Sequence, residues 1–184
     1  MGAMDSASAS APELPDPDGK DWTWVLDRPC PDCGFDAATI RPADYATAIR
    51  QVTLPWQALL RRPAASVRPE PKVWAPLEYG CHVRDVCRLF EERTRLMLTE
   101  DGPDFADWDQ DATAVAQRYF AQDPEVVRTE LAEAAQTLAE TYAAIPDDAW
   151  ERTGRRSNGS LFTIRTLGGY LLHDLSHHVW DVRF

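Results

Sequence analysis

From residue 42 onward, apolar side chains recur at spacings of three and four, the period of a helix with one buried face. Tyr45, Ile49, Val52, Trp56, Leu59 and Leu60 mark a first helical run over 42–62. Pro55 lies inside it, and a proline there removes an amide donor and crowds the preceding turn, so the run should kink or divide. A proline-rich linker with Pro63, Pro69 and Pro71 follows over 63–74. The second run opens at Pro76, which suits the first helical position, with Glu78 in the first turn. It passes through Tyr79, His82, Val83, Val86, Leu89, Phe90, Arg93 and Met97 towards Glu100, and Asp101-Gly102-Pro103 ends it. Residues 103–123 are acidic and mixed; Val115, Tyr119 and Phe120 suggest a short helix over 112–121. Asp123-Pro124-Glu125 combines a cap, a first-turn proline and an acidic first turn. It opens a third long helix carrying Val127, Leu131, Ala134, Leu138, Tyr142 and Ile145, with Pro146 beyond. After a turn at Asn158-Gly159, a fourth helix starting at Ser160 or Thr163 carries Ile164, Leu167, Leu171, Leu175 and Val179. No alternating strand pattern stands out. Four long helices with connections of these lengths predict an all-α fold, a four-helix bundle.

The first forty residues behave differently. Residues 1–20 are mostly Ser, Ala, Pro and Asp and read as a disordered leader, with Met1-Gly2-Ala3-Met4 resembling an expression scar. Residues 21–41 hold Trp22, Trp24, Val25, Leu26, Phe35 and Ile40 around a knuckle, Cys30-Pro31-Asp32-Cys33-Gly34. That segment is too short for a core of its own and is expected to pack across the main body, residues 42–184.

A chain of 184 residues fits one domain with a sizeable core. Thirty acidic against nineteen basic residues give a net charge of −11, which argues against nucleic acid or an anionic membrane as partner. No apolar run approaches the ~18–20 residues of a membrane span, and the start lacks a signal-peptide pattern. The expectation is a cytoplasmic protein with reduced thiols, since four cysteines do not make a disulfide scaffold at this size. Lys20 and Lys72 are the only lysines among nineteen basic residues, a bias of GC-rich genomes.

The four histidines cluster: His82 in the second helix, and His173, His177 and His178 in the fourth. Residues four apart on a helix differ by ~40° in direction, so His173 and His177 share a face, whereas His178 lies ~140° from His173 and reads as a boundary residue. Neighbouring second and fourth helices would let His82 join that pair. Three imidazoles with an open position make a catalytic type of zinc site; nickel, iron and manganese accept the same donors. The alternative is four buried or surface histidines without metal.

Trp74-Ala75-Pro76-Leu77-Glu78-Tyr79-Gly80-Cys81-His82, and Phe162-Thr163-Ile164-Arg165 leading to His173-Asp174-Leu175-Ser176-His177, resemble the DinB-like (DinB/YfiT) metalloprotein superfamily over about residues 42–182. The resemblance implies a DinB-like bundle, up-down with one long crossover. It also implies a divalent metal held by His82, His173 and His177, and often a homodimer. Characterised branches include mycothiol-dependent isomerases and mycothiol or bacillithiol S-transferases. By that resemblance the chain is expected to act on a small electrophile as a thiol-dependent transferase or isomerase, with zinc, or nickel, and a low-molecular-weight thiol as cofactors. The alternatives are a metal-dependent hydrolase of the same fold and a non-catalytic metal-binding or interaction protein.

Carboxylates one turn from the ligands can orient imidazoles: Asp85 first, then Glu78 and Asp181. Tyr79 and Trp180 are placed either to line a pocket or to fill the core. Arg84, Arg155, Arg156 and Arg165 could hold an anionic group, or be ordinary surface charge. The Cys30–Cys33 knuckle lies outside the resembling region. It reads as a turn with buried thiols, a redox pair, or part of a metal site lacking two ligands.

Overall fold

The computed structural model describes residues 12, 13, 15 and 21–183; the leader expected over 1–20 falls almost entirely outside them. Helix α1 spans Tyr45–Thr53 and the short α2 spans Trp56–Leu59, so Pro55 divides the first run as its missing amide requires. Helix α3 spans Pro76–Thr99, with Pro76 in its first turn. Its Glu78 carboxylate accepts a 2.9 Å bond from the Ala75 amide and pairs with the Arg68 guanidinium at 2.5 Å, which ties the linker to the helix start. Helix α4, Gln110–Ala116, is capped by the Asp109 side chain. Helix α5, Pro124–Ala143, is capped by Asp123. In α6, Ile164–Asp181, the side chains of Thr163 and Thr166 satisfy each other's amides at 3.1 and 2.8 Å.

Helices α1 and α3 each pack against both α5 and α6, which makes the four-helix bundle. The core runs through Tyr45, Ile49, Trp56, Leu77, Val83, Leu131, Leu138, Tyr142, Leu167 and Leu171, all nearly inaccessible. Residues 21–41 lie against α6. Two short 3-10 helices there, Thr23–Leu26 and Ala37–Thr39, contact α6.

Two features depart from the sequence pattern. A small antiparallel hairpin, β1 Thr153–Arg155 and β2 Leu161–Thr163, precedes α6. Three residues are too few for a visible alternation, and the backbone of Pro103 and Phe105 completes the ladder instead, bonding to Arg155 at 2.9 and 2.7 Å. The expected helix over 112–121 stops at Ala116 because Arg118 turns left-handed (φ 51°), so Val115 faces out while Tyr119 is buried.

Gly168 is where α6 approaches two aromatic rings. A Cβ there would sit 2.6 Å from Tyr45 Cε1 and 2.8 Å from Tyr142 Cε1. Gly168→Ala is therefore expected to lower unfolding stability by about 1–3 kcal/mol, the usual cost of overpacking a core, measured by chemical denaturation. An unchanged midpoint would show that the rings move aside freely.

Candidate metal centre

The start of α3, the second half of α6 and the knuckle at 30–34 place the metal-competent side chains. Among the described residues these fall into two groups, each with its donor atoms within 4.8 Å of one another: His82, Asp174 and His178; and Cys30, Cys33, His173 and His177. His173 and His177 thus converge, as their helical spacing predicts, but on the cysteine knuckle. The structure does not gather His82, His173 and His177 at one point. His82 meets instead the pair one residue further along α6, Asp174 and His178.

In the first group His82 is 1% exposed. Its Nε2 lies 3.7 Å from Asp174 Oδ1, beyond hydrogen-bond range, and neither ring nitrogen has a hydrogen-bond partner among the described residues. Asp174 Oδ1 is likewise buried without a bond and also stands 3.7 Å from His178 Nε2. Burying polar atoms without partners costs on the order of 1–3 kcal/mol each. A cation between these three donors would satisfy all of them. The Asp174 carboxyl is opposed by burial, but His178, His82 and His173 outweigh that and hold it down at about 2. Burial keeps the His82 imidazole below its ordinary range, in the neutral form a metal requires.

The surroundings fix these rings. Trp108, from the crossover after α3, stacks on His82 at 5.6 Å between centroids, and Trp74 lies at 5.6 Å on another side. Tyr79 packs on His178 at 5.2 Å. His178 Nδ1–H donates to Asp181 Oδ2 at 2.9 Å, which puts the ring's lone pair on Nε2, the atom that faces Asp174. Of the three carboxylates expected to orient an imidazole, Asp181 alone is hydrogen-bonded to one. Asp85 is held by Arg84 at 2.8 Å and accepts a 2.5 Å bond from the Tyr119 hydroxyl, and Glu78 is engaged by Arg68 and the Ala75 amide.

Asp174, His178, Asp181 and Tyr79 line a cavity of about 950 Å³, together with Trp22, Trp108, His173 and His177. Arg93 and Arg156 supply positive charge to its wall. Burial, then Arg156, lower the Arg93 guanidinium to about 10, still cationic at neutral pH. Of the other expected arginines, Arg84 is buried among Asp85, Glu130 and two glutamines, Arg165 pairs with Glu151 at 2.9 Å, and Arg155 faces Asp104 at 3.6 Å. Trp180 packs on the His177 ring, at 5.5 Å.

Counting histidines alone as ligands passes over Asp174, and measuring direction from His173 sets His178, ~140° away, aside as a boundary residue. The signal was present, since residues 174 and 178 repeat the four-residue spacing of 173 and 177.

Residues 45–182 match the family model described as the DinB superfamily. Among solved structures, the chain is similar to YfiT from Bacillus subtilis, at 17% identity and a TM-score of 0.69, over 77% of this chain and 83% of that one. That protein is described as "a probable metal-dependent hydrolase with an unusual four-helix bundle topology". At this identity the likeness speaks for the fold. No curated protein matches the sequence significantly.

Two substitutions separate the roles of the carboxylates. Asp181→Asn is expected to weaken metal binding about 10–100-fold with the fold intact, as loss of a carboxylate that orients a ligand does. Asp85→Ala is expected to cost up to about 3 kcal/mol, because it uncouples the buried Arg84 from one partner while Glu130 remains. Its metal content should not change. Titration with a competing chelator and denaturant unfolding check both; a loss of metal in Asp85→Ala alone would reverse the assignment.

Proposed function

Since the chain belongs to the DinB superfamily, we propose that it is a metal-dependent enzyme, a thiol-dependent S-transferase or isomerase acting on a small electrophile. His82, Asp174 and His178 would hold the divalent cation, zinc or nickel. The observation that carries this reading is the buried His82 with both ring nitrogens unpartnered, facing Asp174 and His178 at the cavity wall. Three protein donors leave a fourth position for a reactant. When bound, the cation supplies Lewis acidity to a nucleophile near neutral pH.

The chain's own residues do the rest. Asp181 holds the His178 ring in the tautomer whose Nε2 faces Asp174. Trp74 and Trp108 cover His82 and exclude water from it. Arg93 and Arg156 are the guanidinium groups of a wall that also carries Asp21, Glu70, Asp109 and Asp111, and they would hold a carboxylate of substrate or thiol. About 950 Å³ is room for a thiol and an electrophile together.

A metal-dependent hydrolase is the second reading, favoured by the description of the Bacillus subtilis structure. No helix among the described residues is long and apolar enough to cross a membrane.

The test is a panel of small electrophiles and esters, assayed on metal-loaded protein with and without a low-molecular-weight thiol. Product formation that requires thiol, and falls at least a hundredfold in His178→Ala, is expected. Thiol-independent ester cleavage would move the assignment to hydrolysis. Absence of both activities on loaded protein would contradict an enzyme of either kind. Arg156→Ala should raise the KM for carboxylate-bearing reactants about tenfold, with kcat little changed, as expected for loss of a charge-assisted bond.

A further inference from the structure

The second donor group is not used by that reading, and it lies partly outside the matched family region: Cys30 and Cys33 precede residue 45. The knuckle backbone builds it. Cys30 N–H donates to Phe35 O at 2.9 Å, and Gly34 N–H donates to Cys30 O at 3.0 Å. Gly34 sits at φ +75°, a conformation side-chain-bearing residues rarely adopt, and this closes the turn so that both thiols face α6. Across from them stand His173 and His177, one helical turn apart. Cys30 Sγ lies 3.7 Å from His177 Nδ1. Cys30 and His173 are 1% and 4% exposed, and His173 Nε2 is buried with no hydrogen-bond partner among the described residues. Phe35, Trp22 and Trp24 pack around the His173 ring at 6.1, 5.5 and 6.4 Å.

We propose that Cys30, Cys33, His173 and His177 form a closed, tetrahedral zinc site that fastens residues 21–41 to α6. Two thiolates and two imidazoles are the donor set of structural zinc. Zinc–sulfur and zinc–nitrogen bonds of about 2.3 and 2.0–2.1 Å give tetrahedron edges of roughly 3.3–3.8 Å. The 3.7 Å separation of Cys30 and His177 matches such an edge, and the remaining donors, all within 4.8 Å, need only small movements. Four protein ligands leave no open position, so this ion is structural. It holds Trp22 in the wall of the cavity, beside the three-donor group at which the proposed chemistry occurs. Hydrogen bonds of Cys30 with His177 and of Cys33 with the Phe35 backbone would account for the two thiols, but not for the unpartnered His173.

The full-length protein is loaded with zinc, then with cobalt(II), and compared with Cys33→Ser, Cys33→His and His178→Ala. Expected are about two zinc equivalents in the parent and about one in Cys33→Ser, with Cys33→His restoring the second because imidazole is also a ligand. The cobalt protein should show thiolate-to-cobalt charge-transfer absorption, lost in Cys33→Ser and retained in His178→Ala. Zinc content unaffected by Cys33→Ser, or a cobalt protein without thiolate absorption, would overturn the site. If His178→Ala leaves the metal content unchanged while Cys33→Ser abolishes it, the zinc knuckle stands and the proposed catalytic centre fails.

Discussion

One turn of α6 sets the arrangement of everything chemical in this chain. Successive helical residues point about 100° apart, while residues four apart nearly coincide. The pairs His173/His177 and Asp174/His178 therefore present two donor faces side by side. One face receives the cysteine knuckle and the other receives His82 from α3. Both depend on α6 being held in register, by the Thr163/Thr166 cap at its start and by Gly168 against Tyr45 and Tyr142.

The surrounding packing explains why these donors are left without partners. His82 is closed in by Trp74 and Trp108, and His173 by Trp22, Trp24 and Phe35. Aromatic walls exclude water but offer imidazoles little to bond. Buried histidine nitrogens in such seats carry a standing penalty unless a cation engages them. Asp181 adds the orienting bond to His178. The Arg84–Asp85–Tyr119 network, close in sequence to His82, is by contrast fully engaged in itself and with Glu130.

The bundle was legible because its helices announce themselves at their ends: Pro76, Asp123-Pro124 and Thr163 each open a helix where the periodicity begins. Pro55 marked its own break. The hairpin escaped notice because three-residue strands carry no usable period, and the early end of α4 depends on a left-handed Arg118 that nothing local demands. At the site, spacing puts His173 and His177 on one face but cannot say what they face. That is a tertiary fact, settled by where residues 21–41 land. The 140° that set His178 apart from His173 turned it towards His82 instead of towards solvent. Cys30 and Cys33 were visible as half a metal site; the missing half was the histidine pair already assigned elsewhere.

Helix α6 serves two separate donor sets, and anomalous diffraction at the zinc edge from crystals of the loaded protein would locate the ions they hold. The account predicts two anomalous peaks, one enclosed by Cys30, Cys33, His173 and His177 and one between His82, Asp174 and His178. A single peak ligated jointly by His82, His173 and His177, with both cysteines free, would contradict it.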